Sequence, residues 1–218
     1  MGMSDGRWTR TNAYLQEVFG RDDAHLSRLV AEAAREGLPE IAVSSEVGRL
    51  LSLLVSTTRG LRALELGTLG GYSATWIARG LASGGRLSTV ELSPKHADFA
   101  RRHLAAAGLS DRVEVIEGAA LEVIDKLGPE PFDFVFIDAV KTEYPEYFAA
   151  LAGRIAPGGL FVADNVLGAR SWWIDDAGHP DREAVDRFNR MVASDPRFQT
   201  AAVPLREGVL IARRLTNP

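Results

Sequence analysis

Three oxygen-bearing side chains stand at the ends of two apolar runs. The segment FDFVFIDAVK (residues 132–141) reaches Asp138 at the end of its run, and LFVADN (residues 160–165) closes on Asp164 and Asn165. If those runs are neighbouring strands, two carboxylates and an amide carbonyl converge on one point. The chain has no cysteine, and neither segment places a histidine. That donor set suits a hard divalent cation: Mg²⁺, or Mn²⁺ or Ca²⁺ in its place. Strand-end Asp and Asn also cap turns, and any one of the three alone would be read that way. Together, in one register, they read as a metal site.

A second group lies earlier, in ALELGTLGGYSAT (residues 63–75). The glycines do not follow G-x-G-x-x-G: after Gly67 come Gly70 and Gly71, and Leu69 fills the slot that a dinucleotide fingerprint keeps open. Glu65 stands two residues before the first glycine. Its carboxylate would serve a pyrophosphate poorly and a cation well. S-adenosylmethionine is such a ligand, with a sulfonium, an ammonium and a carboxylate but no phosphate. The backbone amides around Tyr72 and Ser73, at a helix N-terminus, suit its carboxylate. Glu91 lies 24 residues after Gly67, at the end of the next strand, where an acid would bind both ribose hydroxyls. The plain alternative is a tight strand–helix turn followed by a solvated strand-end acid.

The run ELGTLGGYS (residues 65–73), followed by TVE (residues 89–91), resembles class I S-adenosylmethionine-dependent methyltransferases. More narrowly it is similar to the metal-dependent O-methyltransferases that include the catechol and caffeoyl-CoA enzymes, in their bacterial branch. The similarity runs from about residue 41 to residue 214. It implies transfer of a methyl group to a hydroxyl of a catechol-like or other vicinal-hydroxyl phenol, assisted by a divalent metal. It also implies cofactor contacts from Val43, Glu65, Gly67, Thr68, Gly71, Tyr72, Ser73, Glu91, Leu92, Gly118, Ala119, Ala120 and Asp138. Val140 stands where relatives often carry a second acid that touches the cofactor amino group, which leaves Glu65 or backbone oxygens to replace it. Ala139-Val140 also replaces the His-Trp pair of the catechol enzymes, so the bacterial and caffeoyl-CoA type is the closer match.

A phenol with a pKa of about 10 is ionised to about one part in a thousand at pH 7, a deficit of roughly 4 kcal/mol in nucleophile. A cation on the oxygen offsets that deficit. The resemblance gives Lys141, three residues after Asp138, the role of general base, with Asp138 beside it in catalysis. Its ordinary pKa of about 10.4 is too high, and a neighbouring dication and partial burial are both expected to lower it. A surface lysine at a helix start is the alternative. Trp172 and Trp173, in a polar segment with Asp175 and Asp176, are expected to form a mobile aromatic substrate wall or to pack on a partner chain. Tyr144 either lines the same site or packs at a helix start.

These groups need strands and helices to hold them, and the apolar pattern supplies a βα rhythm. Helices are expected over residues 8–19, 22–37 and from Ser44 or Ser45 to about 56, with Pro39 interrupting the second. Strands follow at 61–66, 86–91, 113–116, 134–137 and 159–163. Helices alternate with them at 71–81, 94–107, 119–127 and 145–154, the second opened by Pro94. A loop over 167–180 leads to a helix at 181–193. Strands at 200–204 and 209–213 then meet at the turn signal Arg206-Glu207-Gly208. The fold class is α/β: a Rossmann-like, doubly wound, seven-stranded sheet, mostly parallel with an antiparallel C-terminal hairpin strand and helices on both faces. Such sheets bind ligands at the carboxyl ends of their strands.

At 218 residues the chain suits one domain, with N-terminal helices over 1–58 and the core over 59–218. The absence of cysteine excludes disulfides and thiol chemistry. A net charge of −4 argues against a dedicated nucleic-acid binder. No apolar run approaches a membrane span, and residues 1–10 carry no signal-like apolar stretch, so a cytoplasmic location is expected. Arg79, Arg86, Lys95, Arg101 and Arg102 could form a basic edge for a tRNA substrate bearing a hydroxylated uridine, or a solvated face. An NAD-dependent oxidoreductase is the more distant alternative. The four histidines, His25, His96, His103 and His179, read as surface residues. The apolar N-terminal helices suggest a homodimer.

Overall fold

The computed structural model describes residues 5–216; residues 1–4 of the charged start segment and residues 217–218 of the expected domain lie outside the described residues. Three helices come first: α1 (Asp5–Phe19), α2 (Ala24–Arg35) and α3 (Ser45–Ser56). The alternation then runs β1 (Arg62–Leu66), α4 (Tyr72–Gly80), β2 (Arg86–Glu91), α5 (Pro94–Ala106), β3 (Val113–Glu117), α6 (Ala120–Lys126) and β4 (Phe132–Ile137). A 3₁₀ turn over Lys141–Glu143 leads into α7 (Tyr144–Leu151), and a second over Ala152–Arg154 leads into β5 (Ile155–Ala163). A short hairpin of β6 (Gly168–Ala169) and β7 (Trp172–Trp173) precedes α8 (Pro180–Ser194), β8 (Phe198–Val203) and β9 (Val209–Arg214).

Seven strands form one sheet in the order β3-β2-β1-β4-β5-β9-β8, with β1 to β5 parallel and β9 antiparallel to both neighbours. The chain winds outward from β1 to β3, then returns to lay β4 on the other side of β1. That reversal makes the β1/β4 boundary the switch point where a ligand crevice opens. Every residue of β4 is buried, as a central strand covered on both faces requires. The pairings Leu66↔Val90, Leu66↔Ile137 and Ile137↔Ala163 bring four strand ends level. Glu91, Asp138 and Asp164 therefore emerge along one edge, with Glu65 one residue inside it.

The N-terminal helices dock on the outside of this edge. Leu26 and Leu29 of α2 pack with Leu38, Tyr72, Trp76 and Phe99, while α3 lays Val47, Leu51 and Val55 against α4. Tyr72 Oη donates to Asp22 at 2.6 Å, and Arg79 pairs with Asp23 at 2.5 Å. Ser44 is the N-cap of α3, yet its side chain makes no capping bond. The expected loop over 167–180 contains the β6–β7 hairpin. The expected turn at Arg206-Glu207-Gly208 is present, with Arg206 at φ 53° and Gly208 at φ 88°. β5 starts four residues earlier than its apolar run because the pairing with β4 slips between Phe132 and Phe134 and absorbs Pro157-Gly158-Gly159.

Candidate active site

Two acidic poles share the carboxyl edge of the sheet. At the first, Glu65 is completely buried in β1, directly across from Thr89 of β2. Thr89 Oγ1 donates to Glu65 Oε2 at 2.5 Å and lies 2.6 Å from Thr68 Oγ1. Glu65 Oε1 is buried with no hydrogen-bond partner among the described residues. Loss of water drives its carboxyl up to about 8; the Ser73 and Thr89 hydroxyls oppose the rise, and the charges of Asp138 and Glu91 add to it. A half-satisfied buried carboxyl of this kind can take a cation once it gives up its proton. Glu91 differs: Oε2 accepts from the amide of Leu69 at 2.8 Å and Oε1 from the amide of Ser93 at 2.9 Å. Two main-chain donors hold it at the rim.

Gly67 joins this pole to the next. Its φ is 96°, and a Cβ there would stand 2.1 Å from the carbonyl oxygen of Asp138. Only glycine lets the loop pass so close to the end of β4. Leu69 also adopts a left-handed backbone, φ 48°, fixed by its bond to Glu91.

At the second pole, Lys141 Nζ donates to Asp138 Oδ1 at 2.5 Å and to Tyr144 Oη at 2.7 Å. Burial works to lower the lysine, but the Asp138 carboxylate and the Tyr144 oxygen outweigh it and hold the ammonium above the usual lysine range. Partial burial, one of the two influences expected to lower it beside a neighbouring dication, does not do so against an ion pair this short. Asp164 is almost wholly buried on the adjacent strand end, and its Oδ1 has no partner among the described residues. Desolvation, reinforced by the charge of Asp138, raises its carboxyl. Asn165 follows with a left-handed φ of 56°. Among the described residues no three His, Cys, Asp or Glu side chains gather as a metal cluster. The donor set here is two carboxylates and an amide. An orphaned oxygen on Asp164 and two carboxylates on neighbouring strand ends, with Lys141 as their counter-charge, fit a hard cation.

The remaining expected residues are distributed as follows. Gly118 is tied to the rim by its amide, which donates to Glu91 O at 3.0 Å; Ala119 caps α6 and Ala120 begins it. Leu92 is exposed, and Val43 is half-buried against the Tyr72–Trp76 side of α4. Gly71 and the Tyr72 and Ser73 amides form the N-terminus of α4, whereas the Tyr72 side chain turns away to anchor α2. Tyr144 does not line an open wall: it is fully buried, with its ring against Phe188. Trp172 is likewise core, because the β6–β7 hairpin folds it inward over α8. Trp173 stays about half exposed, its indole laid on the backbone of Gly168. Of the histidines, His103 is buried, stacked on Phe99 at 4.2 Å and facing Glu32; His25, His96 and His179 are half-buried.

Sequence reasoning missed Thr89, whose signal is its position in the strand that must lie beside β1. It also missed how the chain spends its cations: of 25 basic residues only Lys95, Lys126 and Lys141 are lysines. At position 141 a chain that otherwise favours arginine keeps a lysine, whose ammonium can give up its proton where a guanidinium cannot. The proposed basic edge is already engaged. Arg79 pairs with Asp23, Arg101 with Asp98 and Glu117, and Arg102 with Glu36; Arg86 and Lys95 donate to the carbonyls of Asp111 and Glu36.

Residues 16–215 match the O-methyltransferase family. The chain is 38% identical over 185 residues to a catechol O-methyltransferase from Niastella koreensis, covering 84% of each protein. It is 39% identical over 194 residues to a catechol O-methyltransferase from Mycobacterium tuberculosis, covering 88% of this chain and 87% of the relative. Its fold superposes on an O-methyltransferase from Bacillus cereus in complex with S-adenosylhomocysteine, with a TM-score of 0.85, 37% identity, and coverage of 96% and 99%.

Proposed function

The chain belongs to the O-methyltransferase family and depends on S-adenosylmethionine, and from that premise we propose that its acceptor is a vicinal dihydroxy phenol of the catechol class, methylated with help from a divalent cation. The observation that carries this reading is the second pole. There Lys141 Nζ lies 2.5 Å from Asp138 Oδ1, with the unpartnered Asp164 Oδ1 on the next strand. The names of the two relatives at 38% and 39% identity point the same way.

S-adenosylmethionine supplies a methyl group already activated on a sulfonium. A divalent cation would be held by Asp138, Asp164 and Asn165 and would supply positive charge where the acceptor hydroxyl ionises. The rest falls to the protein. Glu65 Oε1 meets the cationic end of the donor, Glu91 the ribose hydroxyls, and the first amides of α4 the donor carboxylate. Val43, Thr68, Leu92, Gly118, Ala119 and Ala120 complete the cofactor cradle. Lys141 faces the acceptor oxygen as an ammonium held by Asp138, so it takes the acceptor proton only after releasing one of its own to solvent, and Asp138 keeps the resulting amine in place. Positioning of this kind is worth roughly 7–11 kcal/mol. Trp173 walls the substrate. The N-terminal face, where Tyr14, Val18 and Phe19 are exposed, carries the expected homodimer contact, which light scattering on the full chain reports. The reading places the protein in the cytoplasm.

The test is a methyl-transfer screen over catechol, a hydroxycinnamoyl thioester and tRNA with hydroxylated or unmodified uridine, each with Mg²⁺ and with EDTA. Methylation of catechol that stops in EDTA supports both parts. Inert catechol beside a methylated thioester or tRNA overturns the acceptor class. Undiminished turnover in EDTA overturns the role of the cation.

A further inference from the structure

The hydroxyl of Tyr144 sits where three elements of the second pole meet. Its oxygen accepts from Lys141 Nζ at 2.7 Å and lies 3.3 Å from Ile137 O and 3.2 Å from Asp164 O. Ile137 is the last residue of β4, one before Asp138; Asp164 follows β5. One phenol proton is thus shared between the carbonyls of the two strand ends that carry the acids, while the same oxygen accepts a hydrogen bond from the lysine. The ring that carries it is fixed: Tyr144 is fully buried and meets Phe188 edge-on at 5.3 Å. Two of the three N–H groups of Lys141 go to Asp138 and Tyr144, and one remains for an acceptor.

We infer that Tyr144 is a positioning residue for methyl transfer: its hydroxyl sets the direction of the Lys141 amine and locks the β4 and β5 ends at one spacing. The inference rests on the reading of Lys141 above. Without the hydroxyl the lysine keeps only Asp138 to orient it, and its flexible stem gains a rotational freedom that the acceptor must remove. A merely structural role would make Tyr144 equivalent to Tyr147, three residues along the same helix. Tyr147 is equally buried, and its hydroxyl donates to Glu143 Oε2 at 2.6 Å, away from Lys141.

The experiment compares Tyr144→Phe, Tyr147→Phe and Lys141→Ala in the full chain. Readouts are kcat and KM on catechol with Mg²⁺, donor affinity by calorimetry, and the rate at which an amine-acylating reagent labels Lys141. With only three lysines in the chain, mass spectrometry follows that site separately. Tyr144→Phe is expected to lower kcat at least about tenfold. Donor affinity should stay unchanged, and Lys141 should label severalfold faster. Tyr147→Phe should change neither. A Tyr144→Phe enzyme with near-normal kcat and unaltered labelling, beside an inactive Lys141→Ala, overturns the inference alone. Equal losses in the two phenylalanine variants also overturn it. An active Lys141→Ala enzyme overturns the reading of the lysine, and this inference with it. If no variant turns over catechol, labelling decides: equal rates in Tyr144→Phe and the parent overturn the inference.

Discussion

Glu65 and Glu91 share one edge of the sheet with Asp138 and Asp164, yet the two pairs are held by different means. The first pair is held by the fold itself. Cross-strand register sets Thr89 beside Glu65, and the amides of Leu69 and Ser93 grip Glu91. The second pair depends on side chains from one short segment, in which Lys141 and Tyr144 supply the contacts. Glu91 tolerates substitution around it, because the amides that grip it survive a changed side chain, whereas Glu65 leans on the Thr89 hydroxyl that the register sets beside it. A pole made by one turn concentrates its sensitivity in two residues. Recognition of the donor and activation of the acceptor should therefore fail separately.

Lys141→Ala tests that separation most severely. Turnover should fall by about 10²–10⁴, the usual contribution of a positioned acid or base. Donor affinity by calorimetry should stay within about threefold, since Lys141 touches none of the groups around Glu65. Parallel losses in both would show that the poles act as one. Gly67→Ala is expected to do that deliberately. A Cβ there meets the Asp138 carbonyl and an unfavourable φ, so stability should drop by on the order of 3 kcal/mol, with donor binding and turnover lost together. A melting curve like that of the parent would mean that the loop is free to move off β4.

Glu65→Gln addresses the first pole and should weaken donor binding by about 10–100-fold, the loss of one charge-assisted contact. Its pH dependence has a definite sign. The folded carboxyl titrates near 8, against 4.5 when unfolded, so between these values the empty protein binds the extra proton when folded. Stability of the empty protein should fall as pH rises through that window, by on the order of a few kcal/mol, and level off above it. A bound cation favours the ionised form, so donor binding between about pH 5 and 8 should release a proton. Calorimetry in buffers of different ionisation enthalpy measures that release. Glu65→Gln should abolish it, and a parent enzyme that releases none would remove Glu65 from the cation site.

The same contrast explains what the sequence made legible. The βα order, the glycine loop and the strand-end acids are local patterns, and each recurs in the structure at about the expected residues. The means of holding them are less local. Thr89 matters only once β2 is known to lie beside β1. Trp172 reads as a polar-loop residue because it shares its segment with Asp175 and Asp176, yet the β6–β7 hairpin turns it into the core against α8. Tyr144 was an open choice between lining and packing, and its three hydroxyl contacts come from β4, β5 and the intervening turn. For Lys141 the sequence suggests a loss of proton affinity through a neighbouring dication and partial burial, and the burial part is outweighed. The competing ion pair depends on a side-chain distance that spacing alone does not fix.

The smallest effect belongs to the outer edge of the sheet, and it sharpens the comparison by supplying a region with charge but no pole. Arg102 and Glu36 pair at 2.8 Å with side chains 60% and 40% exposed, so water screens both partners. Arg102→Ala should leave the melting temperature, donor affinity and turnover where they are. The neighbouring cations are occupied by Glu117, Asp98, Asp23 and main-chain carbonyls, and few are free to track a phosphate backbone. Filter binding of the full chain to tRNA should accordingly be weak at low salt and unaffected by Arg102→Ala. Tight binding that collapses between low and physiological salt, and weakens further in the variant, would make this edge a nucleic-acid surface. The acceptor class would then shift from small phenols to RNA.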